Sequence, residues 1–170
     1  FLAVRFLIAA LVLAVPGTPR LPALGRRGWG AGIVLGLLLA LGYALQTAGL
    51  ERTTVSSAGF ITGLYVVFTP LLGLLLFRTQ VARLVWLGVA LSVGGLALLA
   101  GVGVGDPRGD LLVLLGSAAY SLQIVLMERF APRYDAVAFT LVEMAAAAAG
   151  FLVVAAAAGQ LALPRGGSVW

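Results

Sequence analysis

Six apolar runs divide the chain, and short polar connections separate them. The runs predict membrane-spanning helices at residues 1–16, 30–50, 55–77, 82–104, 111–127 and 136–159. The third run contains no charged side chain and is long enough to cross a hydrocarbon core of about 30 Å at about 1.5 Å per residue. Because the connections are short, we expect consecutive helices to be antiparallel neighbours.

The composition indicates an integral membrane protein. The 170 residues are 62% hydrophobic and 10% charged, whereas a soluble domain is about 25% charged. The chain has no cysteine, histidine or lysine, and its acidic residues are scattered singly. This pattern excludes a catalytic Ser–His pair, a His/Cys metal site and a P-loop within these residues. We therefore expect a protein that is not an enzyme and has no cofactor and no metal.

The basic residues are all arginine, and they alternate between the connections. In chain order the connections carry three, one, two, one, two and one arginines. The positive-inside rule then predicts that the richer loops, 17–29, 78–83 and 128–135, are cytoplasmic. We expect a multi-pass protein of the cell (inner) membrane that contacts lipid and a small solute. The net charge of +5 reflects this orientation rather than a nucleic-acid partner.

A weak internal repeat is visible in the order of the spans. The distance along the chain from Trp29 to Trp170 is nearly the same as the distance from Arg5 to Glu143, which are two charged residues inside spans. An offset of five spans inserts the second copy upside down, which is the plan of many secondary transporters. On this count one span precedes Phe1 and three follow Trp170, so that the chain is a fragment of a ten-span protein.

The stretch from residue 44 to residue 72 carries the most specific pattern, with ALQTAGL at 44–50, AGFITGL at 58–64 and TPL at 69–71. It resembles the EamA-type drug/metabolite transporters. The resemblance implies an all-α membrane protein, with six transmembrane helices of a ten-helix inverted-repeat transporter. Residues 1–104 would be a truncated first repeat of four helices, and 105–170 would begin the second. It also implies a central cavity lined in part by the second, third and fifth spans.

Two four-residue segments of the same form, YALQ at 43–46 and YSLQ at 120–123, suggest where a solute binds, and we call them the two tetrads. Tyr43 and Gln46 are three residues apart on one helix face, as are Tyr120 and Gln123. Phenol and amide groups offer donors and acceptors without charge, which suits a site that binds and then releases a polar solute. Hydrogen bonding between helices is the alternative. The cavity-lining candidates are Tyr43, Gln46, Thr47, Ser57, Thr62, Tyr65, Tyr120 and Gln123.

Two backbone features inside the spans are also singled out. Pro70 removes the donor for the Val66 carbonyl, which predicts either a hinge beside the cavity or a proline tolerated through Thr69 or a neighbouring helix. Two GxxxG motifs predict close helix packing. They are Gly32/Gly36 and Gly59/Gly63.

Glu143 and Arg5 are the ionisable residues well inside spans, and both are candidates for coupling. Glu143 could couple proton movement to transport, pair with Arg5, or reach the cytoplasmic surface along its helix. Trp29 and Trp86 fit interfacial anchors. The leading function is transport of small organic solutes, such as metabolites, amino acids or drugs, by alternating access in a secondary transporter. The alternative is a non-transporting scaffold or a decayed transporter, and the oligomeric state is open.

Overall fold

A computed structural model of the chain describes residues 2–100 and 105–157. The described part is helical and contains no strand, which confirms the all-helical prediction. Its helices are α1 (Leu2–Gly17), α2 (Gly25–Leu50), α3 (Val55–Gly63), α4 (Tyr65–Phe77), α5 (Arg83–Ala100), α6 (Pro107–Phe130) and α7 (Ala136–Ala157). Two 3-10 turns follow α1 and α6, at Thr18–Leu24 and Ala131–Arg133. The predictions that involve Trp170 and the ends of the fourth and sixth spans lie outside the described residues.

Four helical stretches are long and apolar enough to cross a membrane. They are Leu2–Leu50, which joins α1 and α2 through a 3-10 turn, Val55–Phe77, Pro107–Arg133 and Ala136–Ala156. The apolar part of α5, Arg83–Leu98, is shorter. The structure thus supports a helical membrane protein, while the six-helix count and the ten-helix repeat stay predictions.

Polar residues cap the helices where the apolar runs begin. The Thr54 hydroxyl accepts a hydrogen bond from the Ser57 backbone N–H at 3.1 Å, which caps α3. Asp135 Oδ1 accepts from the N–H groups of Val137 at 3.1 Å and Ala138 at 3.0 Å, so it caps α7. These bonds satisfy backbone donors that have no partner within the helix.

Helix α2 lies at the centre of the bundle, between α6 and α7. Helix α1 packs against α7, whereas α3 and α4 pack against α6 and α5 packs against α3 and α4. Within the described residues α5 does not pack against α6, so the prediction that consecutive helices are neighbours is wrong for this pair. Small residues let the central helices approach closely. A Cβ atom at Gly116 would lie 2.9 Å from the Gly42 carbonyl oxygen, and one at Gly32 would lie 2.9 Å from Val142 Cγ1. The buried interfaces of α2 therefore depend on glycine.

The two GxxxG motifs differ in their packing. Gly32 and Gly36 both lie against α7, and Gly63 lies against Leu96 of α5, as predicted. Gly59 has open space where a Cβ would be, so the packing prediction is wrong for Gly59 within the described part.

The three arginine-rich connections lie at the same end of the bundle. Arg20 Nη1 is 3.4 Å from Asp135 Oδ2, which joins the first and last of these connections. The Arg129 guanidinium carbon is 5.6 Å from the centroid of the Phe77 ring. Phe77 precedes the second of these connections, 78–83, so this connection lies at the same end. At the opposite end, Thr53 donates a hydrogen bond to Asp110. This common end is what the arginine pattern requires, and its cytoplasmic placement stays a prediction.

The regular helix ladder of the third predicted span is interrupted at one residue, Leu64, between α3 and α4, although the backbone there stays in the helical region (φ −63°, ψ −10°). Leu64 N–H donates to the Ile61 carbonyl at 3.1 Å, three residues back, as in a tightened 3-10 turn. Pro70, the predicted hinge, lies inside α4 with no interruption at that position. The Thr69 hydroxyl donates to the Tyr65 carbonyl at 2.7 Å. This bond does not involve the Val66 carbonyl, which is the one that Pro70 leaves without its backbone donor.

Candidate functional site

A chain of hydrogen bonds crosses the middle of the bundle and connects three helices. The Tyr120 hydroxyl of α6 donates to Gln46 Oε1 of α2 at 2.9 Å. Gln46 Nε2 in turn donates to Thr62 Oγ1 of α3 at 3.0 Å. All three side chains are partly buried. One amide thus joins a phenol and an alcohol from different helices, without any formal charge.

Aromatic packing positions Tyr120 for this bond. Its ring meets the Tyr43 ring edge-to-face, with centroids 5.2 Å apart. Tyr43 also packs against Phe6 of α1, with centroids 5.6 Å apart, and Phe6 stacks on Phe151 of α7 at 5.2 Å. A Cβ at Gly42 would lie 2.7 Å from the Tyr120 ring. The glycine therefore makes the space that the tyrosine occupies.

The second tetrad reaches α7 through its glutamine. Gln123 Nε2 donates to Glu143 Oε1 at 2.6 Å, and only 1% of the Glu143 surface is exposed. Glu143 Oε2 has no hydrogen-bond partner among the described residues. The two Tyr/Gln pairs, one on α2 and one on α6, therefore face the interior of the bundle, and Gln123 contacts α7.

Two of the three interpretations of Glu143 are wrong. Arg5 is exposed and its guanidinium carbon lies 6.0 Å from the Phe6 ring centroid, and it forms no ion pair with Glu143 in the described part of the chain. Successive helix residues point about 100° apart, so Phe6 faces the bundle while Arg5 points outward. Burial of Glu143 between helices also rules out its reaching the surface. The coupling role of Glu143 stays a prediction.

Two serines that the sequence interpretation left out of the site lie against the interrupted helix. The Ser117 hydroxyl donates to the Thr62 carbonyl at 3.0 Å. The Ser121 hydroxyl is 3.0 Å from the Ser117 carbonyl of its own helix and 3.3 Å from the Tyr65 carbonyl. Both serines are fully buried. The Thr62 and Tyr65 carbonyls lie on either side of Leu64, where the regular helix ladder changes. The four-residue spacing of the two serines on α6 could have identified them from the sequence, because it places both on one face of the helix.

Ser57 belongs to a different cluster, at the end opposite the arginine-rich connections. Its hydroxyl donates to Asp110 Oδ1 at 2.8 Å, and the Thr53 hydroxyl donates to the same oxygen at 2.5 Å. Asp110 lies in the first turn of α6, so this cluster joins α6 to the start of α3. Sequence analysis identified Ser57 but missed its partner Asp110.

The remaining candidates lie outside the hydrogen-bonded chain. Thr47 is exposed, and Tyr65 is 39% exposed with no side-chain hydrogen bond to the central residues. The central group consists of the chain Tyr120–Gln46–Thr62, together with Tyr43, which packs on Tyr120, and Gln123, one helix turn further along α6. No group of three metal-binding side chains occurs within residues 2–100 and 105–157.

Comparison with known proteins identifies the family. The family model described as the EamA-like transporter family matches residues 1–101. The chain belongs to the EamA-like transporter family. The match includes α2, α3 and α4, and thus Gln46 and Thr62, which the resemblance placed in the most specific stretch.

Two curated proteins are similar to this EamA-like chain. An uncharacterized transporter of Archaeoglobus fulgidus is 34% identical over 132 residues, which cover 76% of this chain and 40% of the relative. Solute carrier family 35 member F6 of Mus musculus is 25% identical over 108 residues, covering 55% of this chain and 28% of the relative. The chain thus spans two fifths or less of each relative's length. No solved structure gives a significant match.

Proposed function

We propose that this protein transports small organic solutes across the cell membrane as a secondary transporter, not as an enzyme. The family match and the two transporter-named relatives support transport of solutes. The arginine-rich end would face the cytoplasm, by the positive-inside rule. Residues 1–104 would form a truncated first repeat of four helices in a ten-helix protein, and residues 105–170 would begin the second, inverted repeat.

The observation that carries the proposal is the uncharged chain Tyr120–Gln46–Thr62. Burying a polar group in an apolar environment without a hydrogen-bond partner costs free energy. The polar groups of a solute site therefore need hydrogen-bond partners when no solute is bound. Here the phenol, the amide and the alcohol satisfy one another. A polar solute can form one hydrogen bond to the site for each bond that it displaces, so the solute can both bind and leave.

The interruption at Leu64 supports the same location. Transporters that work by alternating access place their sites beside discontinuous helices, because free backbone groups there can bind solute. The carbonyls of Thr62 and Tyr65 flank the interruption. The Thr62 carbonyl accepts a hydrogen bond from the Ser117 hydroxyl of α6, and the Tyr65 carbonyl lies 3.3 Å from the Ser121 hydroxyl. We infer that α3 and α4 move relative to α6 at this point and expose the polar chain to one side of the membrane at a time.

Glu143 is the proposed coupling group. Its carboxylate is buried and is bonded to Gln123, which is one helix turn from Tyr120 on α6. A change in the charge of Glu143 would alter the α6–α7 interface next to the polar chain. In liposomes with an imposed pH gradient, Glu143→Gln should abolish stimulation of uptake by the gradient. Unchanged stimulation would remove Glu143 from this role.

The function is tested by finding a ligand and then removing its contacts. The gene product is screened for thermal stabilisation by amino acids, sugars and cationic drugs, and each stabilising compound is tested for uptake into liposomes. Gln46→Leu should lose both responses, whereas Thr47→Val, which changes an exposed neighbour, should keep them. A folded protein that neither binds nor moves any of these solutes would favour the scaffold alternative. Equal effects of the two substitutions would refute the site.

A further inference from the structure

A groove separate from the polar chain lies between α2 and the end of α6. It has a volume of about 510 Å³, and its walls include Val34 and Leu126, with Arg27, Arg133 and Tyr134 at the arginine-rich end of the bundle. A volume of this size is typical of sites for small molecules. The groove therefore combines an apolar floor with two positive charges at one end.

The spacing of the α2 residues explains the shape of the groove. Arg27, Gly30, Ala31 and Val34 recur at intervals of three and four residues, so they form one face of the helix. This face runs for about 10 Å along the axis at about 1.5 Å per residue. A Cβ at Gly30 would meet nothing within 4 Å. The small side chains leave an open channel along the helix.

The charges at the end of the groove favour an anionic occupant. Arg27 and Arg133 are exposed, and neither has a carboxylate within 4.0 Å among the described residues. Asp135, the nearest acid in sequence to Arg133, is paired with Arg20 and caps α7. Basic pockets between helices at the membrane surface bind lipid headgroups. A phosphate above an apolar channel is the chemistry of a phospholipid.

We propose that this groove binds one anionic phospholipid from the leaflet at the arginine-rich end. The phosphate lies between Arg27 and Arg133, and an acyl chain follows the channel past Gly30 and Val34. The arginines supply affinity for the headgroup charge, and the apolar wall contributes by burying methylene groups. The site is independent of the proposed transport site, because its walls share no residue with the polar chain.

Titration with defined lipids, followed by native mass spectrometry of the gene product in detergent, tests the proposal. The probes are phosphatidylglycerol, phosphatidylcholine with the same acyl chains, and glycerol phosphate. Phosphatidylglycerol should bind at least tenfold more tightly than either of the others. Arg27→Gln with Arg133→Gln should weaken its binding by about 30-fold, from about fivefold for each arginine near a membrane surface.

Two matched variants separate this site from general charge attraction. Arg26→Gln with Arg129→Gln removes two charges from the same end outside the groove, and should leave binding within about twofold. Gly30→Leu fills the channel and should abolish phosphatidylglycerol binding, while Gly88→Leu, which also has open space, should not. If Gly30→Leu does not fold, the arginine variants decide.

Several results would overturn the lipid site. Equal binding of phosphatidylcholine, or equal loss in the two arginine double variants, would show that the groove does not select an anionic lipid. Binding of glycerol phosphate as tight as that of phosphatidylglycerol would indicate a free phosphate site instead. Self-association that Gly30→Leu abolishes, without lipid binding, would assign the groove to a second copy of the chain.

Discussion

Gly36 marks the closest approach of α2 to α7, and replacing it by alanine should destabilise the bundle. The added Cβ would lie 2.7 Å from the Ala146 Cβ and 2.9 Å from the Ala147 backbone nitrogen, and it would also meet the Glu143 carbonyl oxygen. Backbone atoms cannot rotate away, so the helices must move apart. Overpacking of this kind costs about 1–3 kcal/mol.

Gly30 in the same helix provides the matched control, since a Cβ there would meet nothing within 4 Å. Both Gly→Ala changes gain about 1 kcal/mol of helix propensity, which cancels when the variants are compared. Gly36→Ala should therefore be less stable than Gly30→Ala by about 1–3 kcal/mol. Gly30→Ala should be at least as stable as the parent protein.

Equilibrium unfolding in mixed micelles, driven by sodium dodecyl sulfate and followed by helical circular dichroism, gives the free energy of unfolding of each variant. The expected difference corresponds to a factor of about 5 to 150 in the unfolding equilibrium constant. Equal stability of Gly36→Ala and Gly30→Ala would refute the close packing of α2 on α7.

The side-chain hydrogen bonds give three further expected outcomes in the same unfolding assay. Tyr120→Phe should cost about 0.6–1.7 kcal/mol and should show coupling of that size to Gln46→Leu in a double-mutant cycle, since each change removes the same bond. Asp110→Ala removes the acceptor of two hydroxyl bonds and should cost about 1–2 kcal/mol. Gln123→Leu leaves both oxygens of buried Glu143 without a described partner and should cost about 1–3 kcal/mol.

Exposed neighbours serve as controls for these three outcomes. Thr47→Val, next to Gln46, and Ser56→Ala, next to Ser57, should change the free energy of unfolding by less than about 0.5 kcal/mol. Additive effects of Tyr120→Phe and Gln46→Leu would contradict the bond between them. An unchanged stability of Asp110→Ala or of Gln123→Leu would remove the corresponding interhelical contact.

The helices and the inward faces of the tetrads could be predicted because each depends on local sequence. An uncharged apolar run of sufficient length has few alternatives to a helix in a membrane. Spacing of three residues places Tyr43 with Gln46 and Tyr120 with Gln123 whatever the neighbouring helices are. The position of the arginine-rich connections at one end follows from the order of the spans, because each crossing reverses the side on which the next connection lies.

The interruption at Leu64 and the contacts between helices could not be predicted, because they depend on which helices pack together. Leu64 is an apolar residue in an apolar run, so hydropathy gives no sign of the interruption. The Ser117 hydroxyl that bonds to the Thr62 carbonyl beside the interruption belongs to another helix, α6. Likewise, the sequence suggests a pair between Arg5 and Glu143 because both are charges inside spans, but the orientation of α1 around its axis places Phe6 inward and Arg5 outward.

Cysteine accessibility tests the central claim most directly, and the absence of native cysteine from these 170 residues favours single-cysteine variants. Thr62→Cys, in the polar chain, is treated from either side of the membrane with a thiol reagent that cannot cross lipid. We expect it to react from each side and to be protected by a transported solute, whereas Thr47→Cys, outside the chain, should show no solute protection. Failure of Thr62→Cys to react from either side in a transport-competent protein would contradict a solute site that opens alternately across the membrane.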